Sequence, residues 1–275
     1  MNRMYQEVLG DIRVDIDKNI QADVEKYCKK LRLILVLATL VIVAAGIYAI
    51  YGISQGNLWG LVLEIILAIV IRFAVEAYKQ KEWSKYRFYI NELCDVNKAL
   101  SAYYTVLGKS FRKKIAPTSL YNVGMTLFYG GRFEDCRKVS EYLLKSGDDI
   151  SGGCSAVLLA GIAYQQKDRA ALEQQRGKLQ MHMQKKKAKM VLLPMAQAVD
   201  KYFGLLDAEE AGDYEKMCEL TSCNLEIDPN LKCTIDNYRL YQVAKATGKE
   251  EEAKMHREVV LERGGNTFYK EELEQ

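Results

Sequence analysis

The chain has 275 residues, of which 27% are charged and 49% hydrophobic, a composition typical of an ordered protein rather than a disordered one. Its formal net charge of +3 is too small to indicate a nucleic-acid-binding surface, which needs a concentrated basic face with stacking aromatic residues. We therefore expect no nucleic-acid partner. The hydrophobic residues are concentrated near the N-terminus, and this concentration decides the class of protein.

An apolar stripe runs through residues 1–30. Its members recur every four residues and are Val8, Ile12, Ile16, Ile20 and Val24. This spacing predicts one amphipathic helix, with charged residues on its other faces. The stripe either packs on the cytosolic part of the protein or on a second copy of itself, or it lies on the inner membrane surface.

Two apolar stretches follow, residues 33–53 and residues 58–75, separated by the short polar turn 54–57. As a helix the first stretch spans ~31 Å, which matches the hydrocarbon core of a bilayer. The mostly polar residues before it are unlike the short basic start of a secretory signal peptide. The sequence therefore predicts a two-helix transmembrane hairpin over residues 31–78.

Basic residues flank this hairpin at both outer ends, and the turn has none. The flanking residues are Lys26, Lys29, Lys30 and Arg32 before the first helix, and Lys79, Lys81, Lys85 and Arg87 after the second. Because cytoplasmic flanks carry the excess of Lys and Arg, we expect a two-pass membrane protein with both termini in the cytoplasm. We expect the membrane to be a bacterial inner (plasma) membrane.

Three residues of the hairpin are considered for a role in the membrane, namely Tyr48, Glu64 and Arg72. Glu64 lies inside the second stretch, where a charged side chain is costly, and we expect it to be protonated and hydrogen-bonded to Tyr48 on the first helix. The alternatives are contact with another membrane protein, or ion conduction if several copies assemble through the hairpin. Arg72 lies near the inner end, where its head group can reach water and pair with Glu76.

From residue 79 onward the sequence predicts helices alone, because it has no alternating β-branched stretch and only three prolines. Residues 79–116 are expected to connect the membrane to the rest of the chain, with one long helix over residues 83–108.

Residues 211–230 contain the clearest repeat-like unit. Gly212 makes a turn, Tyr214 and Met217 face inward on the following helix, and Pro229 closes the unit. This pattern resembles the second half of a tetratricopeptide repeat, in which a turn glycine, an aromatic residue, a small residue and a closing proline recur at these intervals. Met217 departs from the family pattern because it is bulkier than the usual alanine.

Three further units resemble the same repeat. Their marker residues are Gly124, Leu127, Gly131, Phe133 and Cys136; Gly161, Tyr164, Asp168 and Ala171; and Tyr241, Ala244, Gly248 and Ala253. The resemblance implies an α-solenoid over residues 117–265, with a concave surface that binds a protein or peptide, and a tail over residues 266–275. Another all-helical arrangement is the alternative.

The seven cysteines are expected to be free thiols in a reducing compartment. A zinc site formed by Cys218, Cys223, Cys233 and His256 is an alternative, although the spacing matches no zinc pattern. His182 and His256 are the only histidines, and neither lies in a catalytic motif, so we predict no enzyme activity, no metal and no cofactor.

Four glycines and two basic runs remain. Gly152, Gly153, Gly264 and Gly265 are expected to stop helices. The basic runs are Lys109, Arg112, Lys113 and Lys114, and Lys185, Lys186, Lys187 and Lys189. They are interpreted as solvated faces, with anionic lipid head groups or an acidic protein as alternatives.

The predicted fold class is all-α, with a two-helix transmembrane hairpin followed by a cytosolic tetratricopeptide-like α-solenoid. The predicted function is a membrane-tethered scaffold or adaptor that recruits a protein partner to the cytoplasmic face of the bilayer. The alternative is a subunit of a membrane complex that acts through its hairpin and Glu64.

Overall fold

The computed structural model describes residues 9–55, 58–109 and 116–275. This part of the chain is all-helical and contains no β-strand, which confirms the all-α prediction. The helices are α1 (Lys18–Ser54), α2 (Trp59–Asn91), α3 (Val96–Gly108), α4 (Pro117–Tyr129), α5 (Phe133–Lys145), α6 (Asp149–Gln165), α7 (Arg169–His182), α8 (Lys186–Ala211), α9 (Tyr214–Leu220), α10 (Asn230–Ala246), α11 (Glu250–Arg263) and α12 (Phe268–Glu274).

The segment before α1 differs from the predicted amphipathic helix. Val8 lies outside the described residues, and residues 13–17 are not helical. Asp17 caps α1, because its carboxylate accepts hydrogen bonds from the backbone N–H groups of Asn19 and Ile20 at 2.8 and 3.2 Å. From this cap α1 continues for 37 residues, so the second half of the predicted stripe and the first predicted span are one helix.

The described part of the apolar stripe packs on the helical domain. Ile12, Ile20 and Val24 are buried in the same core cluster as the residues of α3. The hydroxyl of Ser101 in α3 also accepts a hydrogen bond from the backbone N–H of Asp17 at 3.0 Å. The structure therefore favours packing on this domain over a position on the membrane surface.

α1 and α2 run antiparallel and approach closely at small residues. A Cβ added to Gly60 would lie 3.2 Å from the Cα of Ala49, so the two backbones are almost in contact there. Small residues at a helix contact permit this approach and gain dispersion energy along the whole pair.

Of the two predicted spans, only the first lies in a helix with the length and composition needed to cross a membrane. Among the described residues, α1 alone is long and apolar enough to cross a membrane by length and composition. Every 18-residue stretch within α2 contains at least three charged residues. The most apolar of these stretches holds Glu64, Arg72 and Glu76, so the second prediction is not supported by composition.

A break at Cys94 divides the predicted connecting helix into the end of α2 and α3. Cys94 has a φ of 49°, which ends the helix, and Asp95 then caps α3 by accepting from the backbone N–H of Lys98 at 3.0 Å. Asn266 fixes this break from far along the chain, because its side chain accepts from the Val96 N–H at 2.6 Å and donates to Asp95. The prediction of one helix over residues 83–108 is therefore wrong.

Four helical hairpins follow, namely α4–α5, α6–α7, α8–α9 and α10–α11, and each packs on the next. All four turns place one residue in the left-handed conformation; these residues are Gly131, Lys167, Gly212 and Gly248. The next residue in each turn donates its backbone N–H to a carbonyl five residues back at 2.9 Å, in the pairs Arg132–Leu127, Asp168–Ala163, Asp213–Ala208 and Lys249–Ala244. This bond is the Schellman helix ending, repeated four times.

Residues 266–275 were predicted to be a tail, but residues 268–274 form α12, which folds back onto the hairpins. Phe268 packs against Phe128 and Phe133, with ring centroids 6.2 and 5.4 Å away. Gly131 provides the space, since a Cβ there would lie 2.9 Å from the Cβ of Phe268. Phe268 and Tyr269 are only 5% and 3% exposed, so α12 is part of the core.

Candidate functional site

The α1–α2 pair exposes apolar side chains on its outer faces over the two predicted spans. On α1 these include Leu33, Val36, Leu40, Val43, Ile47 and Ile50, and on α2 they include Leu61, Leu63, Ile66, Ile69, Val70 and Phe73. A soluble domain buries such residues, and a contiguous apolar face of this length marks a membrane or protein contact. This pair of helices is the first candidate functional surface.

Glu64 points at the first helix of the pair. Its carboxylate lies over Gly46, where an added Cβ would be 3.0 Å from Oε1. The expected hydrogen bond to Tyr48 is not formed, and the Tyr48 side chain is 67% exposed. Arg72 does not pair with Glu76, which instead binds Lys79 at 2.7 Å. No described residue hydrogen-bonds to the Glu64 carboxylate.

The residues that the resemblance marks for packing fall on the hairpins as follows. Four of them are buried within helices, namely Leu127, Cys136, Met217 and Ala253. Five are glycines: Gly124 and Gly161 lie in the contact between α4 and α6, and the left-handed turn residues are Gly131, Gly212 and Gly248. Of the others, Phe133 begins α5, Tyr214 begins α9, Tyr164 lies on α6, Tyr241 lies on α10, and Pro229 precedes α10. α9 ends at Leu220, so Pro229 begins the next hairpin instead of closing α9.

Side chains of α4, α6, α8, α10 and α12 meet in what we call the inner tyrosine cluster. It consists of Tyr121, Tyr129, Tyr164, Tyr202, Tyr269 and Arg239. Tyr164 and Tyr202 stack with ring centroids 4.6 Å apart, and the Arg239 guanidinium lies 5.0 Å from the Tyr164 ring. Burial raises the pKa of the tyrosines in the cluster, which keeps their hydroxyls protonated.

The inner tyrosine cluster lies among α4, α6, α8 and α10, the first helices of the four hairpins, and we call this the inner side of the hairpins. Tyr164 donates to the Glu209 carboxylate at 2.7 Å, and the Arg239 side chain is 13% exposed and 3.6 Å from Asp236. α12 covers one end of the cluster with Tyr269. The chain's own side chains thus fill this inner side, and it offers little space for a partner.

An open groove lies on the other side, between α9, α10 and α11, and we call it the Met255 groove. Its volume is about 300 Å³, and its lining residues are Cys218, Thr221, Ser222, Cys223, Leu225, Asn237, Leu240, Met255, His256 and Val259. Met255 and Leu225 are 53% and 41% exposed, and Ile227, two residues further along the chain, is 80% exposed. The groove therefore has exposed apolar side chains at its rim, above a buried lining that includes both Leu240 and polar side chains.

His256 forms the polar end of this groove. Asn237 Oδ1 lies 2.8 Å from His256 Nδ1 and can only accept, so Nδ1 carries the proton. Nε2 then accepts from the Tyr214 hydroxyl, also at 2.8 Å. Burial lowers the pKa of His256 below its usual 6.5. Both ring nitrogens are hydrogen-bonded, so His256 links α9, α10 and α11.

Two of the seven cysteines are joined, contrary to the prediction of seven free thiols. Cys223 and Cys233 form a disulfide bond with their Cα atoms 5.5 Å apart. The turn between them brings them together, because the Asn224 carbonyl accepts from the Asp228 N–H at 2.8 Å. A disulfide sulfur is not a thiolate ligand, which removes the zinc alternative at these positions. The structure records no group of three potential metal ligands among the residues it describes.

Gly152 and Gly153 do not stop a helix, which corrects another prediction. Both are buried inside α6, where an added Cβ would lie 2.3 Å from the His182 ring and 2.2 Å from Leu192. They are contact glycines between α6 and its neighbours α7 and α8. Gly264 and Gly265 do follow the end of α11, as predicted.

Neither the inner tyrosine cluster nor the Met255 groove was predicted from the sequence. Their residues come from helices far apart in the chain, and no local spacing connects them. The chain has 18 tyrosines, but this number does not show which of them lie together. No family model, curated protein or solved structure matches this chain.

Proposed function

We propose that this protein is a membrane-anchored helical scaffold whose hairpin domain holds a protein partner at the bilayer. The observation that carries the proposal is the joining of two surfaces in one chain. α1 presents apolar side chains along the length of a bilayer, and the domain that follows presents an open apolar groove.

The two-pass arrangement is part of this proposal. α2 runs antiparallel beside α1 and exposes apolar side chains at the same level. Glu64 is turned toward Gly46 on α1, while Arg72 and Glu76 lie toward the end of the apolar stretch, where long side chains reach the interface. None of these three charged side chains therefore has to lie on the outer face of α2 in the middle of the bilayer.

Two observations bear on the side of the membrane that the domain faces. The basic flanks favour the cytoplasm. The Cys223–Cys233 disulfide favours an oxidising compartment. We give more weight to the flanks, because the same domain holds free thiols at Cys94, Cys136, Cys154 and Cys218.

The tetratricopeptide-like character of the hairpins is likewise proposed. Four consecutive hairpins with the same left-handed turn support it, as does the stacking of each hairpin on the next. The 26-residue α8 and the seven-residue α9 depart from the equal helices of that repeat.

We place the partner-binding surface at the Met255 groove and not on the inner side. The inner tyrosine cluster fills the inner side with stacked rings and a paired arginine. The groove instead leaves Leu225, Ile227 and Met255 exposed, and exposed apolar side chains around a cavity are typical of a protein contact. The expected occupant is an apolar segment of a protein.

In-cell photo-crosslinking tests this assignment. A photoreactive amino acid replaces Met255 in one variant of the full-length protein and Met190 in a control variant. Met190 is the matched control because it is also an exposed methionine, at 74%, and lies on α8 outside the groove. A recurrent protein adduct at position 255 and not at 190 supports the proposal. Equal or absent adducts at both positions count against the groove.

A second candidate function rests on Glu64. Its carboxylate has no hydrogen bond to a described residue, and a polar group from another membrane helix can supply one. The protein would then act as a subunit of a membrane complex, or as an oligomer of its own hairpin. Glu64→Gln keeps the shape and changes the charge. Loss of a co-purifying membrane protein with this variant, in a protein that gives no recurrent adduct at position 255, supports the second function over the first.

A further inference from the structure

A further cavity lies where α1 and α2 join the helical domain. It has a volume of about 600 Å³, in the range of small-molecule sites, and is bounded by α1, α2, α3 and the start of α4. Its apolar lining is formed by Leu31, Leu35, Trp83, Val106 and Leu107. We call it the junction cavity.

The junction cavity is lined by four basic side chains and one acidic one. The basic residues are Arg32, Lys79, Arg87 and Lys109, and the acidic residue is Glu76. Lys79 binds Glu76 at 2.7 Å, and Lys109 binds Glu25 at 3.1 Å. Arg87 is exposed and forms no ion pair with any described residue. Arg87 therefore adds to the lining a positive charge that no described carboxylate pairs with.

Two of these cations come from distant parts of the chain. Arg32 on α1 donates a hydrogen bond to the backbone carbonyl of Lys109, at the end of α3, at 3.4 Å. The contact holds the two positive side chains beside one cavity. An anion that binds between these positive side chains offsets the electrostatic repulsion between them. Residues 110–115, which include the predicted basic positions Arg112, Lys113 and Lys114, lie outside the described residues.

The cavity also lies at the level where the apolar stretch of α1 begins. Leu31 and Leu35 are four residues apart on α1, so they share one face that leads from the cavity toward residues 33–53. Nearby, Lys30 lies over the Tyr78 ring at 5.5 Å, and Trp83 stacks on Tyr103 at 5.7 Å. Aromatic and basic side chains together are typical of the interface between lipid and water.

From this geometry we propose that the junction cavity binds the phosphate of an anionic phospholipid. The headgroup lies between Arg87, Arg32 and Lys109, and the acyl chains leave along Leu31 and Leu35 into the bilayer. Cations of this kind between membrane helices on the cytoplasmic side bind anionic head groups. The inference rests on the proposed membrane insertion of α1 and α2. A bound lipid would brace the domain against the membrane and so fix the orientation of the Met255 groove.

Quenching of Trp83 fluorescence by brominated lipid tests the inference. Trp83 lines the cavity, and Trp59→Phe removes the only other tryptophan. The full-length Trp59→Phe protein is reconstituted into vesicles that contain either brominated phosphatidylglycerol or brominated phosphatidylcholine. Arg87→Gln is the test variant in this background. Lys81→Gln is the control, because it removes the same charge from the same helix outside the cavity.

We expect phosphatidylglycerol to be preferred, and Arg87→Gln to lower that preference about five-fold while Lys81→Gln preserves it. Equal quenching by the two lipids, or equal effects of the two variants, overturns the inference. Competition by inorganic phosphate in the buffer would identify a free-phosphate site and overturn the assignment to lipid. Co-flotation with the vesicles is measured in parallel: protein that does not float refutes membrane insertion itself, which is a different failure.

Discussion

Gly124 of α4 faces Leu158 of α6 with no room for another carbon atom, since a Cβ on Gly124 would lie 2.6 Å from Leu158 Cδ1. Leu158 is only 1% exposed and therefore has little freedom to move. The first two hairpins are in contact through this pair. The absence of a side chain at position 124 thus determines how closely they stack.

Gly124→Ala should destabilise the domain by about 1–3 kcal/mol, because the added methyl overpacks a buried contact. Gly161→Ala is the matched control. Gly161 lies in the same α4–α6 contact, but its added Cβ would be 3.5 Å from Phe128, an ordinary contact distance. Thermal unfolding in detergent, followed by circular dichroism, compares the two variants. Equal melting temperatures would contradict the described packing of α4 on α6.

The left-handed turns make a second prediction. Gly248 has a φ of 73° and open space around it, so Gly248→Ala changes backbone strain and little else. We expect a loss of about 1 kcal/mol, which lowers the melting temperature by about 2–4 °C. Gly177→Ala, inside α7 and equally uncrowded, should instead raise stability by about 1 kcal/mol. Shifts of the same sign in both variants would refute the left-handed turn at residue 248.

His256 makes the stability depend on pH. Burial lowers its pKa below 6.5, so the unfolded chain binds the proton more readily than the folded one. This contribution to stability is fully present above pH 6.5 and is lost as the pH falls toward the folded-state pKa. His256→Gln should therefore show a shallower loss of melting temperature between about pH 7 and 5. Parallel losses in the two proteins would show that His256 does not carry this dependence.

The Cys223–Cys233 disulfide closes a short loop with a sequence separation of 10. Reduction should lower the free energy of unfolding by about 2–3 kcal/mol, according to the loop-entropy relation. A Cys223→Ser, Cys233→Ser double variant should show the same loss and no further response to reductant. Cys218→Ser retains the disulfide and serves as the control. A wild-type protein that is indifferent to reductant would contradict the bond.

The features predicted correctly from the sequence are those that depend on residues close together in the chain. Gly131, Gly212 and Gly248 identify their turns because only glycine enters the left-handed region without strain. The turn at Lys167 has the same geometry without a glycine, so no glycine marks this turn in the sequence. The apolar stretch of α1 is recognised from the sequence alone, because its residues follow one another in the chain.

The features that could not be predicted depend on contacts between distant residues. The break before α3 is fixed by Asn266, which lies far along the chain. The packing of Phe268 depends on the fold that brings Phe128 and Phe133 together. Glu64 faces Gly46 rather than Tyr48 because the rotation of two packed helices sets the contact, and sequence spacing gives only the approximate level.

The central claim, a domain held on the cytoplasmic side by α1 and α2, is tested most directly by cysteine labelling of intact cells with a membrane-impermeant maleimide. Ser54→Cys places a thiol at the end of α1 beside the turn, and Lys254→Cys places one on the exposed face of α11. We predict labelling of position 54 in intact cells, and labelling of position 254 only after the cells are permeabilised. Labelling of position 254 in intact cells, or protection of position 54, would contradict the account.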